Sequence, residues 1–329
     1  MRLHEKATAP SLRIGEQDVA GRRIAARLWP GGRPEGAAGL QFDPVERRFL
    51  TPSVRDSEAG PAEPEVWRSA VRRAPFGPVL VGPGGAGPEA EAAYRAAAEG
   101  AALAGRGVYL LDPAAGTLPG RGERNFVVLL TVRPDQEIAR VLPAAAALGF
   151  PAGVLFPLLP DWTDDPALLD RAVERAAASG ASFASGIVAA DDGAARRSMV
   201  EARAELDPRA GDDFFEHVHH GQWAGALEEA RRSVEGSCAR LGVAAIPPRA
   251  AGLGQPRGNS RAAGRLEERA EALAGSDEHR ASRYRAAVRW IDESDRDLAA
   301  IFREGNFRKV FPFPEEIAAE AETVFRERS

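Results

Sequence analysis

From Pro78 onward, short and continuously apolar runs alternate with Ala-rich amphipathic stretches. An apolar run without polar alternation suits a strand buried on both faces, and the stretches between such runs suit helices packed on them. The pattern predicts strands over 78–81, 108–111, 126–132, 153–156 and 183–189, with helices near 89–103, 137–148, 166–178 and 194–206. Successive β/α units require right-handed crossovers within one parallel sheet. The order of elements fits an open doubly wound sheet or a barrel, and the expected class is α/β, a partial (β/α) barrel with parallel strands.

Residues 1–76 carry a different pattern, rich in Pro, Gly and charge, with the apolar stretches Gly39-Leu40-Gln41-Phe42 and Phe49-Leu50-Thr51-Pro52. They are expected to wrap an edge of the β/α domain at 77–246. A helix over 224–241 leads to Val243-Ala244-Ala245-Ile246 and a Pro/Gly-rich connector, 247–258, which marks a domain boundary. Beyond it the period is helical: Tyr284, Ala287, Val288 and Ile291 fall at i, i+3, i+4 and i+7, and Leu298, Ile301 and Phe302 repeat the spacing. Ser294 with Asp297 offers a capping-box start, Gly305 a left-handed stop and Pro314 an opening for a last helix through Ile317, Ala321 and Val324. Residues 259–329 therefore read as a small all-α domain.

A net charge of −5, from 43 basic and 48 acidic residues, argues against the broad positive field of an avid nucleic-acid binder while leaving room for a local patch. Cys238 is the single cysteine, so there is neither a disulfide framework nor a Cys-ligated zinc or iron–sulfur site, and a reducing compartment fits. The first residues, Met1 to Gly21, are charged throughout, and no apolar run approaches the ~20 residues that span a bilayer. A cytoplasmic protein without membrane contact is expected.

Four groups of residues carry candidate chemistry. Gly82, Gly84, Gly85 and Gly87 form a GxGxxG arrangement between a strand and a helix, where missing side chains let an anion approach the helix N-terminus. Asp112 follows the next strand 25 residues beyond Gly87, farther than a ribose-binding acid usually lies. A tight structural turn, a phosphate or other anion site, and a dinucleotide site all remain open. In β/α folds the residues just past the strand C-terminal ends line the working mouth, here Asp112, Thr131, Arg133, Asp161, Asp164 and Asp191. These acids suit Mg²⁺ ligation or proton transfer, and equally loop and helix capping, with Asp164 or Asp165 placed to cap at Pro166. The segment Asp212-Asp213-Phe214-Phe215-Glu216-His217-Val218-His219-His220 brings His217 and His219 to one side if it is a strand, and Glu216 and His220 if it is a helix. Either form offers two ligands for a divalent metal or a polar surface segment. Finally, Arg283, Arg285, Arg289, Arg308 and Lys309 lie near Tyr284, Trp290 and Phe307, a grouping suited to phosphate neutralisation and base stacking, or to a solvated helix face.

The run Leu148-Gly149-Phe150-Pro151-Ala152-Gly153-Val154-Leu155-Phe156-Pro157-Leu158-Leu159-Pro160-Asp161-Trp162-Thr163-Asp164, after the strand ending Leu130-Thr131-Val132-Arg133, resembles the later half of the radical-SAM barrel in the spore-photoproduct-lyase-like branch. The likeness continues through Ala178-Ser179-Gly180-Ala181. That family holds its cluster through a Cys-xxx-Cys-xx-Cys motif, which this chain lacks, so the resemblance implies a barrel retained without a cluster or radical chemistry. The region from Asn259 resembles the N-terminal helical domain of family X DNA polymerases, through Arg283-Tyr284-Arg285-Ala286-Ala287-Val288-Arg289-Trp290-Ile291, Asp297-Leu298-Ala299-Ala300-Ile301 and Glu304-Gly305-Asn306-Phe307-Arg308-Lys309-Val310. Where that family carries a glycine-rich hairpin, this chain has Phe311-Pro312-Phe313-Pro314-Glu315, and its prolines remove N–H donors from the phosphate clamp. Together the resemblances imply an accessory or nucleic-acid-associated binding protein, a pseudoenzyme that contacts DNA or RNA through the arginines and lysine above. Two alternatives stand beside it: an enzyme that binds an anionic small molecule at the strand mouth, with divalent-metal or acid/base chemistry, and a non-catalytic subunit bound to a protein partner. No cofactor is expected beyond that metal option.

Overall fold

A computed structural model describes residues 11–30, 42–50, 59–74, 77–83, 87–119, 126–136, 141–207, 212–221, 223–252, 255–294 and 296–327. Seven strands form the main sheet: β1 (Ser11–Val19), β2 (Arg22–Trp29), β5 (Val79–Val81), β6 (Val108–Leu111), β7 (Phe126–Thr131), β8 (Ala152–Leu158) and β9 (Phe183–Val188), side by side in that order. β1 runs antiparallel to β2, and every other pairing is parallel. Strands consecutive in the chain are thus neighbours in the sheet. With right-handed crossovers, stepping always in one direction puts the connecting helices on one face and curls the sheet like a barrel wall. The wall stays open, because β1 and β9 are its two edges, extended beyond β9 only by a bridge from Phe183 to Ala244. The α/β partial barrel read from the sequence is the observed fold.

The 1–76 segment does more than wrap an edge, since it supplies two strands of the sheet itself. Arg22 to Trp29 contains three basic residues in eight, which hides a strand whose Ile24, Ala26 and Leu28 are fully buried. A second, two-stranded hairpin, β3 (Phe42–Asp43) and β4 (Arg48–Phe49), lies across the wall. Its Asp43 pairs with Arg27 of β2, the Arg47 carbonyl accepts from the Ala190 amide just past β9, and the Phe49 amide donates to Ser198.

The helices are α1 (Pro64–Val71), α2 (Pro88–Leu103), α3 (Val141–Leu148), α4 (Pro166–Ala178), α5 (Gly193–Leu206), α6 (Asp212–His220) and α7 (Ala224–Leu241), followed by the bundle of α8 (Arg257–Leu273), α9 (Glu278–Glu293), α10 (Leu298–Arg303), α11 (Phe307–Val310) and α12 (Glu315–Arg326). Asp165 and Asp192 cap α4 and α5 by accepting from first-turn amides. The residues expected at 137–140 lie outside the described residues. Asp297 caps α10 alone, accepting from Ala299 and Ala300, whereas Ser294 terminates α9; the capping box expected between those two residues does not form. Cys238 in α7 is fully buried, and burial pushes its thiol up to about 11. It is expected to resist a thiol reagent such as iodoacetamide at pH 8 in the native protein and to react at once in denaturant, as peptide mass analysis would show.

The two faces of the wall follow from the pleat. A Cβ on Gly186 would sit 3.5 Å from the backbone of Arg231 in α7, so Gly186 faces the helices and its neighbours Ser185 and Ile187 face inward. Register carries that inner face across the sheet. Ser185 pairs with Leu155 and Leu155 with Thr131; two steps lower on the same strand side, Val127 pairs with Tyr109, Tyr109 with Leu80 and Leu80 with Arg27.

The connector crosses beneath the strand N-terminal ends. The Tyr109 hydroxyl donates to the Pro248 carbonyl at 3.3 Å and accepts from the Ala250 amide at 3.2 Å. A Cβ on Gly107 would meet the Ala250 carbonyl oxygen at 2.1 Å, so only glycine admits this approach. Gly107→Ala is expected to cost about 1–3 kcal/mol by forcing the connector away, while Gly236→Ala, exposed in α7 with nothing within 4 Å, should stabilise by up to about 1 kcal/mol; urea unfolding of both variants checks the pair.

Four buried charges join this end to the helical bundle: Arg22 of β2, Arg249 of the connector, Glu267 of α8 and Asp292 of α9. Asp292 accepts from Arg249 Nη1 at 2.7 Å and from Nη2 at 2.5 Å, a bidentate geometry. Arg22 donates to the Pro247 carbonyl at 2.6 Å and to Glu268 at 3.0 Å. The bundle therefore closes the bottom of the wall and leaves the strand C-terminal mouth at the opposite end.

Candidate functional site at the strand C-terminal mouth

Asp112 leaves the end of β6 in a left-handed backbone conformation, φ 46°, which an aspartate tolerates better than a branched residue would. Its amide donates to the Leu129 carbonyl at 2.9 Å, and its Oδ1 accepts from the Thr131 amide at 2.6 Å, so the carboxyl is held across the ends of β6 and β7. The buried Thr131 hydroxyl lies beside it and, with the amide, favours the ionised carboxyl. Desolvation outweighs the Thr131 hydrogen bond and pushes the carboxyl up to about 7. Behind it, the Tyr94 hydroxyl of α2 donates to the Leu111 carbonyl at 3.1 Å, and burial together with Asp112 raises its pKa well above the usual phenol range.

The glycine turn packs against Leu111, the residue before Asp112. A Cβ on Gly82 would lie 2.4 Å from the Leu111 oxygen, and Gly82 has φ 121°, so close packing and backbone both require glycine there. Gly87, φ 95°, is the N-cap of α2, where no side chain caps the helix and Pro88 begins it, leaving the first-turn amides of Glu89 and Ala90 without a partner in the helix. Gly84 and Gly85 lie outside the described residues.

On the other side of the mouth, aromatic side chains pack together. Phe49 stacks on Trp162 at 5.8 Å between ring centroids, Phe42 meets Phe49 edge-on, and Phe214 of α6 meets Trp162 edge-on. The guanidinium groups of Arg133 and Arg203 lie over Trp162 at 5.4 and 5.1 Å, and Arg133 also pairs with Asp135. The turn that presents Trp162 is closed by Thr163, whose hydroxyl donates to the Pro157 carbonyl at 2.6 Å and accepts from the Leu159 amide.

That turn brings two predicted residues together: Asp161, φ 52°, reaches His217 Nδ1 at 3.2 Å, both side chains well exposed. The segment at 212–220 is helical, so Glu216 and His220 share a side at 3.6 Å, while His219 turns to the Phe215 ring at 4.3 Å and does not join His217. The His217–His219 metal pair expected for a strand is thereby undone by helical geometry. Among the described residues no three His, Cys, Asp or Glu side chains converge as a metal site. Asp191 pairs with Arg196 at 2.5 Å, and Asp164 is partly buried beside the cap of α4 without joining Asp161.

The basic residues of the helical domain are distributed among acids. Arg285 pairs with Glu278, Arg308 with both Glu315 and Glu322, and Lys309 donates to Asn306 at 2.9 Å. Arg308 above all, with Arg326, holds the Glu322 carboxyl below its ordinary range. Arg283 and Arg289 lie on the same helix, α9, facing outward from Ala287 and Val288 in the core. Within this group Arg285 and Arg308 are thus engaged in ion pairs along the helix surfaces.

Pattern reading missed Arg27, Asp43, Trp29 and Tyr94. An arginine inside a buried strand run was the one signal available for the first of them, since a charge that deep requires a partner. Comparison of the chain with protein-family models, curated proteins and solved structures finds no match. The radical-SAM and polymerase resemblances therefore rest on the quoted sequence elements alone. No helix among the described residues is long and apolar enough to cross a membrane.

Proposed function

We propose that the protein is an enzyme that performs acid–base chemistry on a small molecule at the strand C-terminal mouth, with Asp112 as the proton-exchanging group. The observation that carries this reading is the Asp112 carboxyl itself, desolvated at a strand end and pushed up to about 7, where both protonation states are populated at neutral pH. In the neutral state it donates a proton to a substrate atom; in the ionised state it accepts one. Thr131 holds Oδ1 through its amide and so fixes the carboxyl across the strand ends. The uncapped first turn of α2 behind Gly87 favours a substrate with an anionic group, whose charge those amides would receive.

A nucleic-acid role through the helical domain has less behind it, because Glu278, Glu315 and Glu322 already occupy Arg285 and Arg308. The acid–base reading is tested by following the side-chain carbon of Asp112 by NMR from pH 4 to 9, then screening phosphorylated and carboxylated metabolites by thermal shift against wild type and Asp112→Asn. A midpoint near 7 with ligand-induced displacement of that midpoint is the expected result. Titration in the ordinary carboxylate range would sink the reading.

A further inference from the structure

We propose that Arg27 anchors an oxyanion site on the inner face of the sheet, taking a carboxylate or phosphate group through its Nε–Nη2 edge. Arg27 sits within β2 with its side chain only 4% exposed. Its Nη1 donates to Asp43 Oδ2 at 2.5 Å, and its guanidinium lies 4.7 Å from the Trp29 ring centroid. Its Nε and Nη2 are buried without any hydrogen-bond partner. Those two nitrogens form the side edge of the guanidinium, whose parallel N–H bonds match the two oxygens of a carboxylate or phosphate.

Among the described residues no acceptor is bonded to that edge. Asp43 Oδ1 is taken by the amides of Val45 at 3.0 Å and Glu46 at 3.2 Å, which fix the turn of the β3–β4 hairpin, so Asp43 has one oxygen for Arg27 and meets it on Nη1 alone. Along the same inner row, Leu80 and Val127 are apolar and the Tyr109 hydroxyl is engaged with the connector. A lysine would satisfy Asp43 equally well with one donor. The extra fork of an arginine, buried and pointed at no protein acceptor, is the feature of a site that completes itself with a ligand. Asp43 balances the arginine charge, so the site recognises its ligand chiefly by paired hydrogen bonds, and the affinity for a simple anion is expected to be in the millimolar range. This proposal uses none of the residues of the Asp112 reading, and its failure leaves that reading untouched.

The experiment is a titration of the full-length protein, followed through the arginine Nε–H signals of its ¹⁵N–¹H spectrum, with inorganic phosphate, with succinate and with chloride as a halide control. The Arg27 Nε–H signal should shift saturably with phosphate or succinate and stay still with chloride, and the anion that saturates first identifies the source of the oxyanion. Arg27→Lys, which retains a cation for Asp43, should weaken that binding by about tenfold or more, read as loss of the anion-dependent rise in melting temperature. An Nε–H signal unmoved by either oxyanion would mean that only water completes the edge, and it would overturn the proposal. So would an equal thermal response in Arg27→Lys. Should that variant not fold, the wild-type titration decides alone.

Discussion

Asp292→Ala is expected to lower the unfolding free energy by about 3–5 kcal/mol, the cost of removing one partner from a buried ion pair. Asp292 receives both Nη atoms of Arg249, which is itself only 5% exposed, and it also accepts from Gln255 at 3.2 Å. Without it, Arg249 retains Glu267 at 3.6 Å, a carboxylate that already serves Arg22 at 3.5 Å and the Arg23 amide at 3.0 Å. One buried acid would then face two buried guanidinium groups, with only the part-exposed Glu268 to assist at Arg22. Because this network joins β2, the connector, α8 and α9, the loss should also separate the unfolding of the helical bundle from that of the sheet. Urea denaturation read at a tryptophan of the sheet and at Trp290 of the bundle should show two transitions where wild type shows one. A change below about 1 kcal/mol with one shared transition would show that the network does not couple the two parts.

Asp112→Asn should act in the opposite direction, with a gain that grows from about pH 4 and is complete just above pH 7. The carboxyl titrates at about 7 in the folded protein against 3.8 for the unreacted side chain, so the unfolded state releases its proton first as pH rises. The stability associated with the neutral carboxyl is therefore fully present below about pH 4 and is lost as pH climbs through 7. Asparagine retains the oxygen that accepts from Thr131 and removes the ionisation. The variant should match wild type near pH 4 and exceed it by roughly 2–4 kcal/mol at pH 9. Such a gain at the mouth, from deleting a charge, is the behaviour of a group kept for chemistry at a cost in stability. Unfolding measured across that pH range would expose the opposite case, parallel curves for the two proteins, if the carboxyl were ordinary.

The legible part of this protein lies where one local signal decides the outcome. Apolar runs such as Val108 to Leu111 bury every residue and admit no alternative to a strand in the sheet interior, and the period of Tyr284, Ala287, Val288 and Ile291 allows one helix face to meet the core. β2 escaped that logic because Arg22 and Arg27 interrupt its apolar pattern, and each is buried only through partners distant in the chain, Glu267 and Asp43. The predicted mouth residues did collect at the strand ends, as the order of β/α units requires, but their roles diverged there. Asp191 and Arg133 went to ion pairs, Asp161 went to His217, and Asp112 alone became desolvated.

Sequence by itself determined the α/β class, the order of the β/α units from β5 to β9 and the helical end, since hydrophobic period and capping residues act over a single turn or strand. Only the tertiary structure decided which charges are buried, which carboxyl is desolvated and which arginine keeps two buried nitrogens without a hydrogen bond. Desolvation and pairing depend on groups brought together across tens or hundreds of residues, and no local pattern records them.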